Sequence, residues 1–196
     1  MEFNEKYADY IKLLRERLDD FRFEHSMAVS RQAVVLAERF GEDKEKAYVA
    51  GLLHDICKNL KREEQLQFFS SSAIMLTDTE KLSPKVWHAI SGAEYLKKHL
   101  GIKDKDVINA VRYHTTGRAG MSKLEKIIYI ADLTSLDRNY TDVDILRKIT
   151  EKSLDEGLIY ALKFTITSLT NKEEPIHPDT LNAYNYLIGR RKNESI

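Results

Sequence analysis

The sequence predicts an all-α protein, a bundle of about nine or ten helices, and three observations indicate it. Apolar residues recur at helical spacing through most of the chain, and no segment shows sustained two-residue alternation rich in β-branched residues. Eight glycines and three prolines in 196 residues are too few turn formers for a many-stranded β fold. Capping residues also stand where these helices should begin and end. We therefore expect a single domain over residues 1–196, with its core at about 20–135 and C-terminal helices over 142–191 packing on it.

The individual helices are delimited by their caps. Gly41 takes the position of a C-terminal glycine, and Asp43 is placed to cap the next helix. Ser83-Pro84 and the capping box Ser122-Lys-Leu-Glu125 mark two further starts. Residues 70–82 are polar and are predicted to be mostly irregular. The predicted helices cover about residues 10–18, 21–40, 43–58, 63–69, 83–100, 104–114, 122–134, 143–153, 155–170 and 178–191.

Composition and charge exclude several classes of protein. The 31 Lys and Arg balance 31 Asp and Glu, so there is no broad electrostatic case for binding nucleic acid or an anionic membrane. A single cysteine cannot form an intramolecular disulfide, which excludes the small secreted scaffolds. The charged first ten residues do not resemble a signal peptide, and the apolar stretch around 127–133 is too short to cross a bilayer. We expect a cytoplasmic protein with neither nucleic acid nor membrane as a partner.

Six side chains that can bind metal lie mostly in apolar helical surroundings. A single buried histidine is more often a hydrogen-bonded core residue, and a buried aspartate such as Asp132 can be paired with an arginine. Four histidines and two aspartates together, however, are what an interior site with nitrogen and oxygen ligands requires, and they suit Fe, Mn, Co, Ni or Zn. The six candidates are His25, His54, Asp55, His88, His114 and Asp132.

The adjacency of His54 and Asp55 constrains the geometry of such a site. Neighbouring helical residues diverge by about 100°, so both reach one ion only where a helix end points at it. Two ions that share Asp55 as a bridge would relax this constraint and use all six groups. Cys57, close to the pair, is assigned to packing, because one buried thiol is most often a core residue.

A glycine-containing loop over residues 115–121 follows His114 directly. Gly117 and Gly120 permit backbone N–H groups to converge on an anion, and Arg118 adds a guanidinium fork. The loop leads into the N-terminus of the helix capped by Ser122, which also favours phosphate. A solvated turn between two helices is the alternative, and the position after a candidate ligand favours the anion site.

Several segments of the chain resemble the HD-domain metal-dependent phosphohydrolases, and in particular the bacterial YqeK-type proteins. His25, then His54-Asp55, then Asp132 reproduce the order H…HD…D of that superfamily. The resemblance covers about residues 10–187 and rests on Arg22-Phe-Glu-His-Ser, Ala50-Gly-Leu-Leu-His-Asp-Ile-Cys-Lys, Tyr113-His-Thr-Thr-Gly-Arg-Ala-Gly-Met-Ser, Glu125-Lys-Ile-Ile-Tyr-Ile-Ala-Asp and His177-Pro-Asp-Thr-Leu-Asn-Ala-Tyr-Asn-Tyr-Leu. It implies a single HD-type helical domain and the symmetrical hydrolysis of diadenosine tetraphosphate to two ADP.

The resemblance also implies roles for individual residues. The first metal would be held by His25, His54, Asp55 and Asp132, and the second by His88 and His114 with Asp55 as a bridge. Iron is the metal expected from the family. A metal-bound hydroxide would attack phosphorus, and Asp55, Lys58 and Arg118 are the residues expected to serve catalysis. The substrate's phosphates would be met by Lys58, Thr115, Thr116, Gly117, Arg118 and Arg138.

The chain departs from the family after Asp132. Family members commonly carry an acidic residue, then proline, then arginine, whereas this chain reads Leu133-Thr-Ser-Leu-Asp-Arg138 without the proline. Arg138 can be matched to the family arginine, and the ligands themselves are unaffected.

Two alternatives to this function stay open. The chain could be an HD phosphohydrolase for a nucleoside monophosphate, a nucleoside triphosphate or a guanosine polyphosphate. It could also be a metal-containing sensor that binds nucleotides without turning them over. Six ligands for two ions leave coordination positions open, which argues against a purely structural site. The expected partner is a dinucleoside polyphosphate, and a homodimer is left open.

Overall fold

The computed structural model describes residues 2–193, and in that part of the chain it contains twelve α-helices, one 3₁₀ turn and no strand. Ten of the helices have seven or more residues, and the predicted all-α class is confirmed. The helices are α1 (Glu2–Lys6), α2 (Ala8–Arg17), α3 (Asp20–Phe40), α4 (Lys44–Leu53), α5 (Arg62–Ser71), α6 (Asp78–Leu82), α7 (Trp87–Lys98), α8 (Lys105–Tyr113), α9 (Lys123–Thr134), α10 (Val143–Lys152), α11 (Leu154–Asn171) and α12 (Pro178–Asn193).

Most of the caps read from the sequence are present where they were predicted, but Ser83 makes no capping hydrogen bond, and its segment begins as a 3₁₀ turn over Pro84–Val86 before α7 starts at Trp87. Gly41 ends α3 in the left-handed region at φ +65°, and the Asp43 carboxylate accepts from the backbone N–H groups of Glu45 and Lys46. The capping box of Ser122 and Glu125 opens α9, with both reciprocal hydrogen bonds formed. These local signals fix the entry and exit of the helices that carry the candidate ligands.

Residues 70–82 differ from the prediction, which was wrong for the last part of this segment. Residues 78–82 form α6, which a capping box between Thr77 and Glu80 opens. The indole N–H of Trp87 donates to the Glu80 carbonyl at 2.6 Å, so α6 is fastened to the first residue of α7. The segment has the T-x-x-E capping pattern but no apolar periodicity, and a contact distant in sequence also holds the helix, since Arg112 donates to the Glu80 carboxylate at 2.9 Å.

The core lies where α3, α4, α8 and α9 pack against one another. Gly51 on α4 permits the closest approach, because a Cβ there would lie 2.9 Å from the Ser30 Cα of α3. On the other side of α9, α10 and α11 pack against that helix, and α12 packs on α11. The predicted division into a core over 20–135 and C-terminal helices over 142–191 stays a prediction.

Within residues 2–193, no helix combines the length and the apolar character that crossing a bilayer requires.

Candidate metal centre

The six predicted ligands come together at one place in the bundle. Five of them are buried, and only the Asp132 side chain is partly exposed. Their ligand atoms form three overlapping groups, and within each group all the atoms lie within 4.8 Å of one another. The groups are His25, His54 and Asp55; His54, His114 and Asp132; and Asp55, His88 and His114.

Most of these side chains lie at or next to the end of a helix, and they reach the cluster from there. α4 stops at Leu53, so His54 and Asp55 lie in the turn that follows it. This turn is closed by a hydrogen bond from the Lys58 N–H to the Asp55 carbonyl at 2.8 Å. Both residues of the adjacent pair can therefore reach one ion, since the end of α4 points at the cluster.

The ring orientation of two histidines is fixed by backbone carbonyls. His54 Nδ1 donates to the Gly51 carbonyl at 2.7 Å, and His114 Nδ1 donates to the Val111 carbonyl at 2.8 Å. A carbonyl only accepts, so the proton of each neutral ring is on Nδ1. The lone pair of each Nε2 is then directed at the cluster, as a metal ligand requires.

The unpaired atoms at the centre fit a bound cation. Among the described residues, His54 Nε2 and Asp55 Oδ1 are buried and make no hydrogen bond of good geometry, although Asp55 Oδ1 lies 3.1 Å from His88 Nε2 and 3.4 Å from Lys58 Nζ. Buried acceptors without a partner are strongly unfavourable, and cations are the partners that would satisfy both kinds of atom. His88 Nε2 and His114 Nε2 also approach each other to 3.1 Å. Four imidazoles and two carboxylates are a donor set that suits divalent transition metals.

Protonation at neutral pH also favours metal binding. Burial lowers the pKa of His54 to about 4 and that of His88 to about 4, so both rings are neutral near pH 7. Burial by itself raises the pKa of Asp55, but His54, His114 and His88 outweigh it and hold that pKa well below its usual value. The pKa of Asp132 is likewise lowered, because the His25 hydrogen bond and nearby cations outweigh burial. Neutral imidazoles and ionised carboxylates are the forms that coordinate metals.

Two cations stand at the edge of the cluster. Lys58 Nζ lies 3.0 Å from His88 Nε2 and 3.4 Å from Asp55 Oδ1. Arg22 Nη1 lies 3.7 Å from Asp55 Oδ2. Both side chains are partly exposed, so each extends from the buried cluster to the surface of the protein. Lys58 was predicted to contact phosphate, and that role stays a prediction, whereas Arg22 was not predicted. Its signal was the spacing of three residues before His25, which places both on one face of α3.

The structure does not form the predicted anion cradle at Gly117. The N–H of Gly117 donates to the Tyr113 carbonyl at 2.8 Å and is therefore not free for a phosphate. Thr116 is buried, and its carbonyl accepts a hydrogen bond from the Thr180 hydroxyl at 2.9 Å. The Thr115 hydroxyl is buried with no hydrogen-bond partner among the described residues. Gly117 and Thr116 thus join the end of α8 to α12, which corrects the predicted role of the loop backbone.

Two predicted substrate contacts are held by acidic side chains. The Arg118 guanidinium donates to both carboxylate oxygens of Glu125, at 2.7 and 3.1 Å, and lies over the Tyr113 ring. Arg138 donates to Asp132 Oδ1 at 2.5 Å and to the Asp132 carbonyl at 2.8 Å. The structure therefore places Arg138 behind a candidate ligand, where it supports the ligand, and a direct contact with substrate would need it to leave that carboxylate.

Replacing Gly117 by alanine should destabilise the fold more than the same change at Gly120. Both glycines have positive φ, +65° and +67°, and each substitution is expected to lose about 1 to 2 kcal/mol through backbone strain. A Cβ on Gly117 would also lie 3.3 Å from Ala183 Cβ, whereas nothing lies within 4 Å at Gly120. We expect G117A to lose about 1 kcal/mol more than G120A in urea unfolding. Equal losses would show that α12 does not pack closely on this loop.

The family model of the HD domain matches residues 22–137. The symmetrical bis(5'-nucleosyl)-tetraphosphatase of Bacillus subtilis is 38% identical over 176 residues, which cover 90% of this chain and 94% of that protein. The enzyme of the same name from Halalkalibacterium halodurans is 35% identical, with 93% of this chain and 97% of that protein covered.

A solved structure shows the same fold. It is the crystal structure of a predicted HD superfamily hydrolase involved in NAD metabolism from Clostridium acetobutylicum. The two chains are 39% identical and superpose with a TM-score of 0.91, which covers 94% of this chain and 97% of that one. The HD model spans more than half of the sequence and ends at the residues just after the candidate ligand Asp132. The chain belongs to the HD domain family.

Proposed function

We propose that this protein is a metal-dependent hydrolase that cleaves diadenosine tetraphosphate symmetrically to two ADP. The observation that carries the proposal is the convergence of six metal-binding side chains around His54 Nε2 and Asp55 Oδ1, which are buried and make no hydrogen bond of good geometry. The substrate assignment is supported by relatives of that activity, whose similarity extends over at least 90% of this chain. Four of the six, His25, His54, Asp55 and Asp132, stand in the order H…HD…D of the HD hydrolases.

The ligand set divides into two sites that share one carboxylate. His25, His54, Asp55 and Asp132 are assigned to the first ion, and His88 and His114, with Asp55, to the second. Asp55, His54 and His114 each belong to two of the three ligand groups, and of these Asp55 alone has two ligand oxygens, which supports its role as the bridge. We propose iron in both sites, and the same nitrogen and oxygen donors would accept Mn, Co, Ni or Zn.

The bound ions would polarise a phosphoryl oxygen and lower the pKa of a water molecule. The protein's own part is to hold the reacting groups and to balance charge. Lys58 and Arg22, at the edge of the cluster, are placed to offset the negative charge of a polyphosphate and of its transition state. Attack at a phosphorus beside the central bridge releases ADP, whose terminal phosphate is a good leaving group. The reaction therefore does not need a dedicated general acid.

The role of Arg118 depends on the loop around it. Its guanidinium is held by Glu125 and by Tyr113, the residue before the candidate ligand His114. This arrangement fixes the guanidinium near the cluster-bearing end of α8, and we propose that it meets the outer phosphates by sharing its hydrogen bonds with Glu125. The Thr115 hydroxyl has no hydrogen-bond partner among the described residues but is buried, so a phosphate oxygen would reach it only if the loop moved.

The experiment is chromatographic product analysis of the metal-reconstituted protein with diadenosine tetraphosphate. We expect ADP as the only product, and none after the metal is removed with a chelator. Production of ATP and AMP would keep the hydrolase but refute the position of attack. If Fe, Mn and Co all give no turnover, the proposal fails for this substrate, and nucleoside monophosphates, triphosphates and guanosine polyphosphates are tested next. Stoichiometric nucleotide binding without product would favour the sensor.

A further inference from the structure

Both ring nitrogens of His25 contact carboxylates. His25 Nδ1 lies 2.7 Å from Asp137 Oδ2, and His25 Nε2 lies 3.0 Å from Asp132 Oδ1. The ring is almost completely buried, at 1% exposure, whereas Asp137 lies in the loop after α9 with 26% of its side chain exposed. The imidazole therefore spans two acidic groups, one among the candidate ligands and one outside them.

The position of His25 in its helix explains why it needs a partner from elsewhere. His54 and His114 follow helix ends, where the carbonyls of Gly51 and Val111 are left free to accept from their Nδ1. His25 lies in the interior of α3, where the backbone carbonyls already accept from the helix. A side chain from another element must then fix its Nδ1. Asp137 does this with a charged acceptor, which holds the ring more strongly than a carbonyl does.

The loop that carries Asp137 is itself fastened at several points. Arg147, on α10, donates to the carbonyls of Thr134 at 3.0 Å, Ser135 at 2.8 Å and Arg138 at 3.0 Å. The Tyr140 hydroxyl donates to the Leu133 carbonyl at 2.9 Å. These bonds fix the backbone on both sides of Asp137, and its carboxylate is thus preorganised rather than mobile on the surface.

We propose that Asp137 is a positioning residue for the metal ligand His25. It holds the proton on Nδ1, aims Nε2 at the first metal site and raises the basicity of that nitrogen. Arg138, the next residue, holds the Asp132 carboxylate, so this one loop supports two of the four ligands of the first site. The loop lies in the stretch where the chain departs from the family pattern. This inference rests on the metal binding of the proposed function.

The test compares Co²⁺ binding by the wild-type chain with that by D137A, D137N and the control L136A. Leu136 is the neighbour of Asp137 and is 85% exposed, so L136A perturbs the same loop without touching His25. Equilibrium dialysis and the Co²⁺ absorption spectrum report the affinity of each site. Loss of such a supporting carboxylate lowers metal affinity by about 10- to 100-fold. We expect the upper part of this range at the first site for D137A and the lower part for D137N, which keeps an acceptor oxygen.

Turnover adds a second measurement. Because Asp137 does not touch substrate in this proposal, D137A should need more metal for activity but reach nearly the wild-type kcat once metal saturates. An unchanged Co²⁺ affinity in D137A would overturn this inference alone. A wild-type chain that takes up no Co²⁺ would overturn the proposed function as well. If D137A does not fold, the Co²⁺ affinity of D137N is the deciding measurement. Wild-type affinity in that isosteric variant would refute the role of the Asp137 charge.

Discussion

Replacing Asp55 by alanine is expected to abolish turnover and metal uptake together. Asp55 Oδ1 lies 3.1 Å from His88 Nε2 and 3.5 Å from His114 Nε2, and its Oδ2 lies 3.7 Å from His54 Nε2. In the proposed arrangement this side chain serves both ions, so its loss removes a ligand from each. It also removes the buried negative charge next to Lys58 and Arg22. We expect turnover to fall by a factor on the order of 1,000 or more, about 4 kcal/mol of transition-state stabilisation.

The measurement is metal content per chain by elemental analysis, made beside the rate of ADP formation. H54A should also abolish turnover together with metal uptake, because in the proposed arrangement His54 is a ligand of the first ion. The matched control is D78A, whose carboxylate is 95% exposed and pairs only with Lys81 among the contacts described. Circular dichroism and urea unfolding identify variants that have lost the fold. A folded D55A that keeps its metal and turns over within tenfold of wild type would contradict the proposed centre.

The ligand cluster was predictable because its signals are local. Each candidate is a metal-binding residue type within an apolar helical segment, and the capping residues Asp43 and Ser122 set the ends of two helices that carry them. For His54 and Asp55 to reach one ion, a helix must also end beside them, and α4 ends at Leu53, directly before the pair. Residue type, periodicity and caps are all read within one or two turns of helix, which is the range over which a single sequence is informative.

The surroundings of the cluster depend on contacts that the sequence does not reveal. The close packing of Gly117 against Ala183 depends on where α12 lies, and the periodicity of α12 does not specify that. Arg118 has a carboxylate partner seven residues away, across a turn whose path only the folded chain defines. Asp137 is similar, because its contact with His25 joins residues 112 positions apart. Polar side chains at such positions look like solvated surface until their long-range partners are known.

Replacing His88 by alanine separates the two metal sites and is expected to remove most of the activity. His88 belongs to a single ligand group, with Asp55 and His114, so its loss should spare the ion held by His25, His54 and Asp132. We expect the metal content to fall from two ions per chain to one and the rate to fall by about 100-fold or more, about 2.7 kcal/mol. Lys58 Nζ, which lies 3.0 Å from His88 Nε2, would also lose the group that positions it.

The control for this variant is H99A, because His99 follows the same helix, is exposed and stacks on Tyr95 away from the cluster. Elemental analysis and ADP formation are measured on both variants after reconstitution with the same metal. Wild-type turnover by H88A with one ion bound would refute the two-metal mechanism and leave a centre with a single ion. Loss of both ions would instead show that Asp55 binds neither ion strongly unless both are present. Comparing the loss of bound metal with the loss of activity therefore shows whether the second ion takes part in catalysis or stabilises binding of the first ion.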